Sequence, residues 1–433
     1  MRGLSRFWPA GHAKNAKFFG GKSGLGICRR LRLCSDMLLV ALIVLVLVLV
    51  AWDFLLVERI RRWDFQPVGD LDPSPPPADL APLRVAVVTP ARNEADLVPL
   101  TVPALYHQDF AGQIDLHLVD DHSTDRTAEA ARAAVEFFEH QNRSLTVIPG
   151  APLPDGWAGK VWAMHQALRK IGADRDRLPD YVLLTDADIL HRMGSVTRLV
   201  TESRSAGLAL NSRMARLRCE SFWEKLLIPA FVFFFNLLYP MRRVNNFKDK
   251  FAGAAGGCVL LSRSALEKLG WGLEAIKGCL IDDVNLARQV KSHGLSVNLS
   301  LSSHEVVSER PYDTLGEIWR MVRRSAYTEL NHNPLRLTVA LAGLFATFAL
   351  PALMVCHLFL APLTVTSYAA GVCGLLILLV QFFIYRPAGK FFNLGLFWSF
   401  TLPVAGILYG LMTLDSARAH YFSRGNAWRG KRN

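Results

Sequence analysis

Apolar positions along this chain follow two different rhythms. Met37 to Val57, "MLLVALIVLVLVLVAWDFLLV", is apolar except for Asp53. Three more apolar runs, roughly 337–358, 366–385 and 392–413, fill the C-terminal third. About 20 apolar residues span a bilayer. In lipid every backbone group must be satisfied within its own element, so these runs predict helices. Between them, short β-branched runs alternate with helical spacing. Arg84–Thr89, "IDLHLVDD", "LTVIPG" and "YVLLTDAD" read as strands. "PARNEADLVPLTVPAL" reads as a loop turning into a helix, and "STDRTAEAARAAVEFF" and "GKVWAMHQALRKIG" read as helices, the former with Ser123 or Thr124 as N-cap. Alternating strand and helix predicts an α/β fold with a mostly parallel sheet. Such sheets bind ligands at the carboxyl ends of their strands.

Two stretches fit neither rhythm. The uncharged core of residues 222–240, Leu226 to Tyr239, is short for a bilayer and contains Pro229, which predicts a buried or interfacial segment rather than a span. Residues 310–330 mix Trp319, Met321, Val322 and Tyr327 with Arg320, Arg323 and Arg324, an amphipathic pattern suited to a membrane surface. The expected organisation is a basic extension over 1–36, a transmembrane helix over 37–57 and a Pro-rich linker over 66–82. An α/β domain over 84–311, an interfacial helix over 312–333, two to three transmembrane or re-entrant helices over 337–413 and a basic tail over 414–433 follow. A cleaved signal peptide is the competing reading of the first run. That run is long, however, and Glu58, Arg59, Arg61 and Arg62 follow it rather than a small-residue cleavage site.

Charge and cysteine content narrow the field further. The 433 residues carry a net charge of +12, which suits nucleic acid, anionic lipid or phosphorylated substrates. The basic residues flank apolar runs instead of forming a patch with interleaved aromatics, so no nucleic-acid partner is expected. The 7 cysteines are scattered with no CxxC spacing. That disfavours a zinc or disulfide framework and points to a reducing compartment for the soluble part.

The chemistry gathers where strands end. Thr89 to Glu94, Asp120–Asp121 and Asp186–Asp188 each close a strand, and Lys160 opens a helix between them. Residues i and i+2 of a strand share a face, so Asp186 and Asp188 of "LLTDADILH" point the same way. Paired carboxylates suit Mg2+ or Mn2+, which also bind phosphate oxygens; a solvated turn is the bland alternative. Asp282 and Asp283 open the helix "DDVNLARQVKS", closed by Gly294. Asp282 could be a plain N-cap, but adjacent carboxylates repel and call for a compensating cation or a base role. Gly256–Gly257 in "AGAAGGCVLLSR" permits close backbone approach to a ligand, or simply a turn.

Six motifs in order, "VVTPARNEA", "VDDHSTDRT", "GWAGKVWAMHQAL", "LLTDADILH", "AAGGCVLLSR" and "LIDDVNLARQVKSHG", resemble a family 2 inverting glycosyltransferase of the GT-A fold, over about residues 84–330. "RCESFWEKLLIPAFVFFFNLLYP" and "IWRMVRRSAYTEL" are similar to the hopene-associated glycosyltransferases of bacterial hopanoid gene clusters and to wider relatives of ceramide glucosyltransferase. The resemblance implies a nucleotide-sugar donor held by Thr89, Pro90, Arg92, Glu94, Asp120 and Asp121, with Lys160 nearby. It implies Mg2+ or Mn2+ on Asp188, with Asp186 on ribose or metal, and Asp283 as general base. Asp282 stands where the family has Glu. Arg323 is implied at the diphosphate, and Gly256, Gly257 and Arg324 at the acceptor. The processive motif Gln-x-x-Arg-Trp reads Arg320-Met-Val-Arg323-Arg324 here, which favours a single transfer to a lipid acceptor such as a hopanoid or other isoprenoid. A processive polysaccharide synthase and a non-catalytic nucleotide-binding membrane scaffold are the alternatives.

Cytosolic nucleotide sugars imply a multi-pass protein of the bacterial inner membrane whose catalytic domain faces the cytoplasm. The first helix would then leave the basic N-terminus outside, against the positive-inside tendency, unless the chain starts at Met37. Three full C-terminal spans would also leave the basic tail outside; a re-entrant or interfacial run would return it.

Overall fold

The computed structural model describes residues 37–55, 77–138, 140–360 and 364–422. The basic extension, most of the Pro-rich linker and the end of the tail lie outside these residues.

The four expected strands are present as β1 (Arg84–Ala91), β2 (Gln113–Asp120), β3 (Arg143–Pro149) and β4 (Tyr181–Thr185). Six shorter strands follow: β5 (Ile189–His191), β6 (Leu210–Met214), β7 (Arg216–Leu217), β8 (Cys258–Ser262), β9 (Val297–Leu301) and β10 (Val306–Ser308). The main sheet has the order β3-β2-β1-β4-β8-β6-β9, and β5-β10-β7 form a second, smaller sheet. Within the main sheet only β8 runs against its neighbours, β4 and β6. The fold is therefore α/β with a mostly parallel sheet, as the alternating pattern predicts.

Helices cover both faces of this sheet, which is why its central strands β1, β4 and β8 read as near-continuous apolar runs. Val85 and Val87 of β1 join a core with α2 (Val98–Tyr106), α3 (Thr127–Ala133) and α5 (Ser195–Ser205). Ala86 and Val88 point to the other face and join a core with α4 (Gly159–Ala173). That second core continues through α6 (Phe222–Leu238), α7 (Met241–Val244), α8 (Arg263–Lys268) and α9 (Asp282–Ser292).

Helix α3 is shorter than its sequence suggests, and neither Ser123 nor Thr124 caps it. Both are taken by Asn93: the Asn93 amide donates to Ser123 Oγ at 3.1 Å, and the Thr124 amide donates to Asn93 Oδ1 at 2.8 Å. These bonds tie the loops after β1 and β2 together and hold residues 121–126 off the helix.

Among the described residues four helices are long and apolar enough to cross a membrane: Met37–Leu55 (α1), Phe222–Val244, Pro334–Leu360 and Val365–Phe391. Phe222–Val244 comprises α6 and α7. It starts at a capping box of Ser221 and Glu224. Its Ile228 and Val232 enter the domain core, while Leu226, Leu227, Ala230 and Phe233 pack on the terminal helices. The strands on either side of it, β6 and β8, are paired in one sheet. The chain thus leaves and rejoins the domain on one side, and this helix does not cross a bilayer alone.

Helix α10 (Leu315–Glu329) is the expected amphipathic segment, capped by Thr314 and Glu317. After it, α11 (Pro334–Leu344) runs through a π-helical turn into α12 (Leu350–Leu360), and α13 (Val365–Phe391) returns toward the domain. Phe392 is buried in the domain core. The last helix, α14 (Leu402–Phe422), ends against α10: Ser416 Oγ donates to the Arg323 carbonyl at 2.6 Å, and the Tyr327 and Tyr421 hydroxyls lie 2.9 Å apart. The run after Phe392 therefore begins at the domain core and ends against α10. On the terminal helices Ile43, Leu47, Phe54, Leu353, Phe359 and Phe383 face outward and exposed, the kind of apolar surface that marks contact with a membrane or another protein.

Candidate active site

The carboxyl ends of β1, β2 and β4 meet the start of α9 in one cleft lined by acids. Lys160, in the first turn of α4, places its Nζ 2.6 Å from Asp186 Oδ1 and 3.6 Å from Asp282 Oδ2. Asp282 is not a cap; the cap position is Ile281, and the Asp282 carboxylate turns to the lysine. Burial works against the Lys160 charge, yet Asp186 and Asp282 outweigh it and raise its pKa above the usual lysine range.

Asp283 is held differently. Its Oδ2 accepts the Gly256 amide at 2.7 Å, and its Oδ1 accepts the Val284 amide at 2.8 Å. A Cβ on Gly256 would stand 3.1 Å from Lys160 Nζ and 3.3 Å from Asp283 Oδ2. A side chain here would press on the lysine amine and the carboxylate, so the absence of a Cβ lets them sit close to the Gly256 backbone. Burial, and next the charge of Asp282, push the Asp283 carboxyl up to about 7, with Lys160 opposing. Gly257 serves the frame: its carbonyl accepts Thr185 Oγ1 at 2.8 Å.

The other half of the cleft centres on Asp188. Its Oδ2 accepts Arg310 Nε at 2.6 Å, and Arg310 Nη2 donates to Glu94 Oε1 at 2.9 Å. Burial raises the Asp188 carboxyl, with Arg310 opposing. Burial likewise raises Glu94 to about 7 against the same guanidinium. Arg92 lies 3.6 Å from Asp121, whose amide donates to the Ala91 carbonyl at 2.8 Å. Asp120 Oδ1 accepts the Ser123 amide at 3.1 Å. Thr89 and Pro90 close β1 beside them, both buried.

Most residues singled out from the sequence thus converge, but Arg323 does not. Its Nε is 3.3 Å from Asp415 of α14, which also accepts Trp319 Nε1 at 2.9 Å. Arg324 is nearer the cleft, where its charge acts on Tyr312 alongside Asp188 and Asp186. Arg310 was missed. It follows β10, a strand of 3 residues with no readable period. Its partners lie 122 and 216 positions away in sequence. The local signal is an arginine two residues beyond a short strand, in "SERPYD".

Among the described residues no group of three or more His, Cys, Asp or Glu could hold a metal ion by itself. Mg2+ and Mn2+ in phosphate-handling sites use one or two carboxylates together with phosphate oxygens and water. The oxygen donors of Asp186 and Asp188 fit that requirement.

Residues 86–270 match Glycosyl transferase family 2, and residues 181–385 match Glycosyl transferase family group 2. The chain is a glycosyltransferase built on a family 2 glycosyl transferase domain. No curated protein matches it. Among solved structures it is similar to the mannosyltransferase PcManGT from Pyrobaculum calidifontis, solved with GDP-Man and Mn2+, at 21% identity and a TM-score of 0.49, covering 86% of this chain and 99% of that one. It is also similar to glucosyl-3-phosphoglycerate synthase from Mycobacterium tuberculosis, solved with phosphoglyceric acid, at 18% identity and a TM-score of 0.38, covering 57% of this chain and 79% of that one.

Proposed function

We propose that this glycosyltransferase moves one sugar, with inversion, from a UDP-sugar to a hydroxyl of a membrane lipid of the hopanoid or wider isoprenoid class. The observation that carries the proposal is Asp283: a half-buried carboxylate raised to about 7, next to the Lys160–Asp186 pair, whose hydrogen bonds among the described residues come from backbone amides. A general base works best with a pKa near the operating pH.

In this reading Thr89, Pro90, Arg92, Glu94, Asp120 and Asp121 take the nucleoside. Asp188 and Asp186 hold Mg2+ or Mn2+, which offsets charge on the leaving diphosphate when bound. Lys160 adds a fixed positive charge at the same place. Asp283 takes the proton of the acceptor hydroxyl as that oxygen attacks the anomeric carbon from the side opposite the diphosphate. Asp282, tied to Lys160, keeps the turn at Asp283 in place. The apolar outer surface of the terminal helices supports a protein that spans a membrane; the proposal sets it in the inner membrane of a bacterium, with this cleft on the cytoplasmic side where nucleotide sugars are found. The start of α10 beside the cleft supports delivery of the acceptor from the bilayer.

Membranes containing the protein are incubated with labelled UDP- and GDP-sugars plus Mg2+ or Mn2+, then extracted into organic solvent. Label in the lipid fraction is the expected result. Label in polymer, or none with any donor, overturns the reading.

A further inference from the structure

The geometry points to Arg310 as an exchangeable counter-charge: it occupies the carboxylate that the divalent ion needs, and leaves it for the diphosphate when ion and nucleotide arrive together. This rests on the metal-dependent donor binding proposed above.

The argument starts from the cost of buried charge. The side chains of Asp188 and Glu94 are 11% and 8% exposed. Two such carboxylates without a cation are strongly unfavourable. Arg310 joins both through one guanidinium, at 2.6 and 2.9 Å. Its backbone is pinned on both sides: the Glu309 amide donates to the Asp188 carbonyl at 2.9 Å, and the Tyr312 amide donates to Glu224 Oε1 at 2.9 Å. The side chain itself is freer, 25% exposed. A cation on the same Asp188 oxygen would meet the guanidinium as a like charge, so ion binding requires Arg310 to withdraw. The guanidinium fork suits a diphosphate, which offers paired anionic oxygens.

Two consequences follow. An ion arriving alone displaces Arg310 from Asp188 and leaves it Glu94 as its acidic partner, with no new acceptor for the freed Nε, and so binds weakly. An ion arriving with a nucleoside diphosphate gives Arg310 a new partner, so each tightens the other by the same factor. Arg310 also holds Glu94 and Asp188 in position before the donor is present.

The test is Mn2+ binding to the full-length protein in detergent, read from the free-Mn2+ electron paramagnetic resonance signal, with and without UDP or GDP. Wild type is expected to bind Mn2+ at least tenfold more tightly with the matching nucleotide. Arg310→Gln is expected to bind Mn2+ alone about tenfold more tightly than wild type and to lose most of the gain from nucleotide. Arg310→Lys, which keeps a charge but not the fork, is expected to fall between and serves if the glutamine variant does not fold. Mn2+ affinity of the variants equal to or below wild type, with the nucleotide effect intact, removes the exchange and leaves the metal-dependent reading standing. No Mn2+ uptake by any form with either nucleotide removes both.

Discussion

The cleft has two halves that treat carboxylates in opposite ways. Asp188 and Glu94 share a guanidinium in direct contact. Asp283 takes its hydrogen bonds, among the described residues, from backbone amides, while the nearby lysine spends its contacts on Asp186 and Asp282. The first half is arranged to carry charge and exchange partners. The second keeps one carboxyl, raised to about 7 as Glu94 is, hydrogen-bonded to backbone amides instead of a guanidinium. Phosphate binding needs the former and proton transfer the latter, so the contrast is the division of labour that sugar transfer requires.

The largest expected effect comes from the titrating half. Asp283→Asn keeps the side-chain size and one of the two amide contacts but removes the proton acceptor, and transfer should fall by about 10²–10⁴ while nucleotide binding, followed by calorimetry, is unchanged. Full turnover in that variant would put the base elsewhere. Next comes the charge-carrying half. Asp188→Asn should weaken Mn2+-dependent nucleotide binding by at least about tenfold, by analogy with losses at metal-supporting residues; an unchanged titration would place the ion elsewhere. The smallest effect lies outside the cleft. Asp415→Asn removes the partner of Arg323 and Trp319 and should cost about 1 kcal/mol of stability in thermal unfolding, with transfer nearly intact. A collapse of transfer there would make Arg323 part of the catalytic half after all.

Much of this was legible in the sequence, for a physical reason. Central strands covered on both faces are near-continuous apolar runs, so the point where Asp186 or Thr89 interrupts them marks the carboxyl edge of the sheet. The glycine pair and Asp282–Asp283 stand out because close approach and like-charge adjacency each demand an explanation. What escaped was whatever depends on partners far along the chain. Arg310 joins two acids, Asp188 and Glu94, that precede it by 122 and 216 positions. The side chain of Arg323 has two acidic neighbourhoods within reach of its helix, and nothing local to α10 reveals that Asp415 takes it. Helix α6 is apolar on several faces because one packs on the domain and another on the terminal helices, a composition that resembles a span until the pairing of β6 with β8 is known.

The contrast between the halves is tested most directly by the pH dependence of single-turnover transfer. A carboxyl raised to about 7 is protonated below that pH and cannot accept the acceptor's proton. The rate should therefore climb through about pH 7 and level above it. Lys160 holds that value down, so in Lys160→Met the rising limb should move to higher pH. A flat profile in the wild type, or a limb that moves to lower pH in the variant, would contradict Asp283 as the base.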